Sequence, residues 1–137
     1  MLPKSNRISR RILVADDDPI MVRVVTRVLT DAGYSVVVAR DGREAYRVLQ
    51  HDADFSAALV DMQMPHLQGI DIIRYMRTEK RLLRIPVVMM TANQNLNVQG
   101  ESFAAGATAF LLKPCTTQNV QTILRLIGST EAAQAPA

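Results

Sequence analysis

The chain has 137 residues, 48% of them apolar, with 16 Lys and Arg against 13 Asp and Glu for a formal charge of +3. That is one domain's worth of chain with room for a sizeable core. No apolar run nears the ~20 residues of a membrane span, and the start, Met1-Leu2-Pro3-Lys4-Ser5-Asn6-Arg7, lacks the apolar stretch of a signal peptide, so a cytoplasmic protein is expected.

Residues 1–10 read as a flexible N-terminal segment and 11–128 as the folded domain. The first strand, Arg11–Asp16, runs into Asp16-Asp17-Asp18-Pro19. Pro19 suits a first helical turn, and Asp18 before it reads as the N-cap. Ile20, Met21, Val24, Val25, Val28 and Leu29 recur at helical spacing up to a stop at Gly33. Strand two is Ser35–Ala39. Asp41-Gly42 opens a helix with Ala45, Val48 and Leu49 inward, and strand three is Ala57–Asp61. Ile70, Ile73 and Met76 mark a third helix, followed by strand four at Pro86–Thr91. The fourth helix, within Asn93–Ala105, is the weakest. Asn93, Asn95, Asn97 and Gly100 are poor helix formers, so its start is expected near Asn97 and its order is expected to be marginal. Strand five is Ala109–Lys113, and Val120, Ile123, Leu124 and Ile127 mark the last helix. Residues 129–137 are small and polar and read as a frayed, disordered tail.

Basic residues gather at Lys4, Arg7, Arg10 and Arg11 and again at Arg74, Arg77, Lys80, Arg81 and Arg84. Both clusters read as solvated faces. No aromatic residues are interleaved with them, as a stacking platform for single strands requires, so direct nucleic-acid binding is not expected. A lone Cys115 forms no intramolecular disulfide and builds no zinc site by itself. It reads as a small buried hydrophobe.

Alternating strands and helices, with strands apolar on both faces, predict a doubly wound α/β fold, a five-stranded parallel sheet with helices on both faces. Ligand sites in such sheets lie at the carboxyl ends of the strands. Strand one delivers Asp16 and Asp17 there, strand three Asp61, strand four Thr91 and strand five Lys113. With strand one between strands two and three, these ends converge on one edge. Clustered carboxylates cannot all stay ionised without a cation. Oxygen-only donors favour a hard ion such as Mg²⁺, with Mn²⁺ able to stand in, and argue against zinc. A lysine and a hydroxyl opposite them suit a phosphoryl group, and a carboxylate can itself be the nucleophile, giving an aspartyl phosphate. Singly, each residue reads as a cap, a turn residue or a solvated lysine; the joint placement carries the expectation.

The chain resembles the receiver domain of bacterial two-component response regulators, in particular its single-domain, chemotaxis-regulator-like form. The carrying motifs are Ile12-Leu13-Val14-Ala15-Asp16-Asp17-Asp18-Pro19, Ala39-Arg40-Asp41-Gly42-Arg43-Glu44-Ala45, Val60-Asp61-Met62-Gln63-Met64-Pro65 with Gly69, Met90-Thr91-Ala92, and Ala105-Gly106-Ala107 through Phe110-Leu111-Leu112-Lys113-Pro114. The resemblance implies a flavodoxin-like strand order 2-1-3-4-5 and Asp61 as phosphoacceptor for a histidine kinase or phosphotransfer protein. It implies Mg²⁺ held by Asp17 and Asp61, by Asp16 through water, and by the Gln63 backbone carbonyl. Lys113 and the Thr91 hydroxyl would contact the phosphoryl group, and Phe110 would be the aromatic switch. Gln63 and Asn93 occupy the positions that tune dephosphorylation. Signal would pass, by protein contact or self-dimerisation, through the face of helix four, strand five and helix five. No enzymatic activity is implied beyond its own phosphorylation and dephosphorylation.

Other readings stay open at this stage. The chain fits a receiver excised from a larger DNA-binding regulator or hybrid kinase. A phosphorylation-independent docking module is opposed by the intact Asp16, Asp17, Asp61, Thr91 and Lys113. A haloacid-dehalogenase-type phosphatase needs a second aspartate two residues after its nucleophile, where this chain has Gln63.

Overall fold

The computed structural model describes residues 10–93 and 95–134, the last six by backbone alone. Strands and helices alternate as β1 (Arg11–Ala15), α1 (Pro19–Asp31), β2 (Ser35–Ala39), α2 (Gly42–His51), β3 (Ala57–Asp61), α3 (Gly69–Thr78), β4 (Val87–Thr91), α4 (Leu96–Ala105), β5 (Ala109–Leu112) and α5 (Thr117–Gln134). A 3₁₀ turn at Lys80–Leu82 has no counterpart in the sequence expectation. The strands form one parallel sheet in the order β2-β1-β3-β4-β5.

The two-residue period of a strand explains why both faces are covered. On β1, Ile12 and Val14 point into a core with Met21, Val25 and Leu29 of α1 and with Val120, Ile123 and Ile127 of α5. Leu13 and Ala15 point the other way, toward Ala45 and Leu49 of α2 and Ile72, Ile73 and Met76 of α3. Each such fully buried aliphatic side chain is worth about 1.5–3 kcal/mol of transfer free energy. β3 and β4 are buried along their whole length, as interior strands covered on both sides must be.

Local chemistry sets the helix starts. Asp18 caps α1 by accepting from the Ile20 N–H at 3.0 Å, as expected for a residue before Pro19. Asp41 caps α2 by accepting from the Glu44 N–H at 2.8 Å, and Glu44 reaches back to the Arg40 N–H at 3.2 Å. At the end of α4, Gly106 takes φ +119°, a left-handed conformation that favours glycine.

The boundaries depart from expectation at several ends. Asp16 and Lys113 fall just beyond β1 and β5, and Pro86 just before β4. Asp16 and Lys113 therefore sit at the start of the loops leaving the sheet, while Asp61 is the last residue of β3 and pairs with Met90. α4, by contrast, starts late as expected, at Leu96 beside Asn97. α5 continues through Ser129 to Gln134, past the expected start of the tail; Ala132 and Ala133 are strong helix formers. Residues 1–9, expected to be flexible, and 135–137 lie outside the described residues.

The basic clusters are also not simply solvated. Arg77 donates to the carbonyls of Gly106, Leu83 and Ile85 at 2.9–3.2 Å. Arg84 donates to Ala53 and Phe55, and Arg81 to the Tyr75 hydroxyl. Arg11 pairs with Asp52 at 2.8 Å and lies over the Phe55 ring. Arg11, Arg77 and Arg84 find carbonyls or carboxylates distant in sequence, which charge spacing along the chain does not reveal.

Candidate functional site

The carboxyl ends of β1, β3, β4 and β5 bring Asp16, Asp17, Asp61, Thr91 and Lys113 to one edge of the sheet. Asp16 and Asp61 are 1% and 6% exposed, Thr91 3%, while Asp17 is open to solvent. One oxygen from each of Asp16, Asp17 and Asp61 lies within 4.8 Å of the others.

Lys113 crosses to this cluster from the end of β5. Its Nζ donates to Asp16 Oδ1 and to Asp61 Oδ2, both at 3.1 Å. Asp16 Oδ2 lies 2.9 Å from the same ammonium, an ion pair without good hydrogen-bond geometry. Asp61 Oδ1 accepts from the Gln63 N–H at 3.3 Å, with the Gln63 side chain exposed. Behind the nucleophile candidate, Gly69 packs against the Asp61 carbonyl so closely that a Cβ there would collide with it. A glycine is what allows α3 to begin beside β3.

The electrostatics follow from burial. Desolvation, then the nearby charge of Asp16, push Asp61 up to about 6 from 3.8, against the pull of Lys113. Burial alone would lower Lys113, but Asp16 and Asp61 outweigh it and hold the ammonium above its ordinary range. One ammonium thus offsets two buried carboxylates, with the exposed Asp17 adding a third. Cys115 is buried after the cis Lys113-Pro114 bond, and its thiol is pushed up to about 11, chiefly by burial. It is a packed thiol, not a thiolate.

Thr91 ends β4 with its hydroxyl occupied twice. It donates to the Met62 sulfur at 3.7 Å, a weak acceptor, and accepts from the Asn93 N–H at 2.9 Å. Phe110 faces the same side of the sheet two residues back along the ladder, opposite Met89. Its ring is half-buried and meets Phe103 of α4 edge-on at 4.8 Å. All the candidate residues read from strand ends are therefore brought to the site or its flank. The contacts that sequence reasoning missed are those of Met62 with Thr91 and of Arg77 with Gly106. Met62 is an ordinary apolar residue until the fold sets it beside a hydroxyl.

The donor set fits a hard cation: three carboxylates, no nitrogen or sulfur donor among them, and a surplus of negative charge over the one ammonium. An acidic cluster faced by a lysine at the strand ends of a β2-β1-β3-β4-β5 sheet is suited to a hard cation and an anionic group beside it.

Residues 12–125 match the response regulator receiver domain, and the chain belongs to that family. It is 35% identical over 109 residues to the chemotaxis protein CheY of Pseudomonas aeruginosa, covering 79% of this chain and 87% of that one. The high-resolution structure of the chemotaxis response regulator CheY4 of Vibrio cholerae superposes with a TM-score of 0.81 at 29% identity, over 87% of this chain and 98% of that one. The receiver domain of the sensor histidine kinase PA1611 from Pseudomonas aeruginosa superposes at 0.78 and 30% identity, over 88% and 98%; it holds a magnesium ion coordinated in its active-site cleft. Among the described residues no helix is long and apolar enough to cross a membrane.

Proposed function

We propose that Asp61 accepts a phosphoryl group from a histidine kinase or phosphotransfer protein, and that the resulting charge reshapes the α4–β5–α5 face to control a partner. The observation that carries this reading is the pair of buried carboxylates, Asp16 and Asp61, sharing the single ammonium of Lys113 at 2.9–3.1 Å. In transfer, an Asp61 oxygen forms a bond to phosphorus, the bond from phosphorus to the donor imidazole nitrogen breaks, and the imidazole leaves with the electron pair. Asp61 is well placed as the nucleophile: it is buried and its Oδ1 is oriented by the Gln63 N–H. Near neutral pH, above about 6, it is mostly ionised.

Asp17, Asp61 and the Gln63 carbonyl would hold Mg²⁺ or Mn²⁺, with Asp16 acting through water; when bound, the ion neutralises phosphoryl oxygens and so favours the charge build-up of transfer. Lys113 exchanges part of its pairing with Asp61 for the incoming phosphoryl oxygens. The Thr91 hydroxyl leaves the Met62 sulfur, gives up the Asn93 N–H, and donates to a phosphoryl oxygen. Because sulfur accepts weakly, that departure costs little. Phe110, on the same sheet face, then has room to turn inward from Phe103. Gln63 and Asn93, both exposed at the mouth of the site, are positioned to influence the water that hydrolyses the acyl phosphate. The chain catalyses only its own phosphorylation and dephosphorylation on this reading.

Supplying Mg²⁺ and a small phosphodonor such as acetyl phosphate, then weighing the intact chain, tests the assignment. One phosphoryl group is expected on the wild type and none on Asp61→Asn; an equal adduct on both overturns it.

A further inference from the structure

α4 is thinly packed. Of its ten residues only Ser102 is buried, while Leu96 and Phe103 are 80% and 50% exposed. Most helices in proteins are held by a packed apolar face, and here the two ends must do more of that work. They are secured very differently.

At its C-terminal end the Gly106 and Ala107 N–H groups close the helix on Ser102 and Phe103 at 3.0–3.1 Å. Arg77 of α3 then clamps the turn, giving two hydrogen bonds to the Gly106 carbonyl while also holding Leu83 and Ile85. A guanidinium spread over three carbonyls makes charge-assisted bonds, stronger than neutral ones. This end is tied to α3 and to the entry of β4.

At its N-terminal end the ties run back to the phosphorylation site. The Asn93 N–H donates to Thr91 Oγ1 at 2.9 Å, the Asn95 N–H to Asn93 Oδ1 at 2.8 Å, and the Asn97 N–H to Asn95 Oδ1 at 2.8 Å. Three successive side-chain-to-backbone bonds at a two-residue step form a ladder whose first rung is the Thr91 hydroxyl oxygen and whose last is the N-cap of α4. Such bonds are local alternatives to helix and sheet pairing. The asparagines that are poor helix formers in sequence are therefore the supports of the first turn.

We propose that Asn93 and Asn95 couple the position of the Thr91 hydroxyl to the first turn of α4, so that phosphorylation releases Leu96–Gln99 while Arg77 keeps the other end fixed. The inference rests on the receiver reading above and adds the residues that carry its signal. Thr91 Oγ1 cannot swing to a phosphoryl oxygen and keep the Asn93 N–H in place. Losing that rung removes the constraint on Asn93 Oδ1, hence on the Asn95 N–H and on the cap that Asn95 supplies. Within Leu96–Gln99 only Val98, partly buried against the core, holds the helix by apolar packing, so the release has little else to overcome. The result is a pivot at Gly106 that moves Leu96 far more than Phe103. Asn93 and Asn95 act here as positioning residues, through Thr91, whatever Asn93 also does near the attacking water.

The test is amide NMR of the full chain with and without Mg²⁺ and beryllium fluoride, a stable tetrahedral stand-in for the phosphoryl group. In the wild type the Leu96–Gln99 amides shift on loading and the Gly106 amide stays nearly still. Asn93→Ala, which removes the middle rung, loses most of the loading-dependent shift at Leu96–Gln99 while β5 still responds. Asn93→Asp, which keeps an acceptor oxygen at that rung, restores it. A purely structural role would alter the resting spectrum of Asn93→Ala but not the loading-dependent difference. Equal loading-dependent shifts in wild type and Asn93→Ala overturn the ladder alone. A wild type that shows no loading-dependent shift anywhere in 91–99 overturns the receiver reading and the ladder with it.

Discussion

Replacing Asp61 by asparagine should make the cation-free protein more stable, although it removes the residue assigned the central chemistry. Asp61 stands at about 6 in the folded protein against 3.8 when exposed, because of burial first and the Asp16 charge second. A folded-state pKa above the unfolded one means that protonation favours folding. The cost of the ionised form is absent below about 4, grows through the interval between the two values, and is complete above about 6–7. At 1.36 kcal/mol per unit, a rise from 3.8 to about 6 amounts to about 3 kcal/mol at most. Asparagine removes the charge but accepts less well from Lys113, which keeps its contacts to Asp16 at 2.9 and 3.1 Å. A net gain of about 1–2 kcal/mol is expected near pH 8, or roughly 3–10 °C in Tm for a chain this size. Near pH 4.5 wild-type Asp61 is largely protonated and close in shape and charge to asparagine, so the difference should shrink to within about 0.5 kcal/mol. The assay is thermal and urea unfolding of both proteins, followed by circular dichroism in chelator at the two pH values. Asp61→Asn being less stable near pH 8, or equally stabilised at both, would refute the electrostatic account of the pocket.

Two further outcomes follow from the same geometry. Asp17→Ala should fold normally, because the side chain is exposed, yet lose most Mg²⁺ affinity; titration calorimetry showing the wild-type affinity would remove Asp17 from the metal set. Lys113→Ala leaves Asp16 and Asp61 without their shared ammonium. It should lower stability near neutral pH by about 1–3 kcal/mol, retain some phosphorylation, and fail to pass the change to α4 and α5. Loading-dependent amide shifts there as large as in the wild type would contradict that last role.

Much of this was legible in the chain. The apolar runs end where the chemistry begins, so Asp16, Asp61, Thr91 and Lys113 were readable as strand-end residues, and the parallel sheet followed from strands apolar on both faces. Asp18 before Pro19 announced its cap. What stayed hidden depends on partners brought close only by folding. Arg77 and Arg84 looked like solvated charge because nothing in their spacing names the carbonyls of Gly106 or Ala53. Asn93, Asn95 and Asn97 are poor helix formers, and the first two stand before α4, outside it. That same property conceals their role, since a side chain that competes with helical hydrogen bonding in mid-helix supports the helix when it stands just before it. The true end of α5 was lost because small residues serve a tail and a helix alike.

The central claim is that the phosphoryl group sits on Asp61. Borohydride reduces an aspartyl phosphate to homoserine, so a protein treated with Mg²⁺ and acetyl phosphate, reduced and mapped by peptide mass spectrometry, reports the acceptor directly. The account predicts homoserine at position 61, abolished by omitting the metal. Homoserine at position 16 or 17, or a phosphate on a hydroxyl side chain with position 61 unchanged, would contradict it.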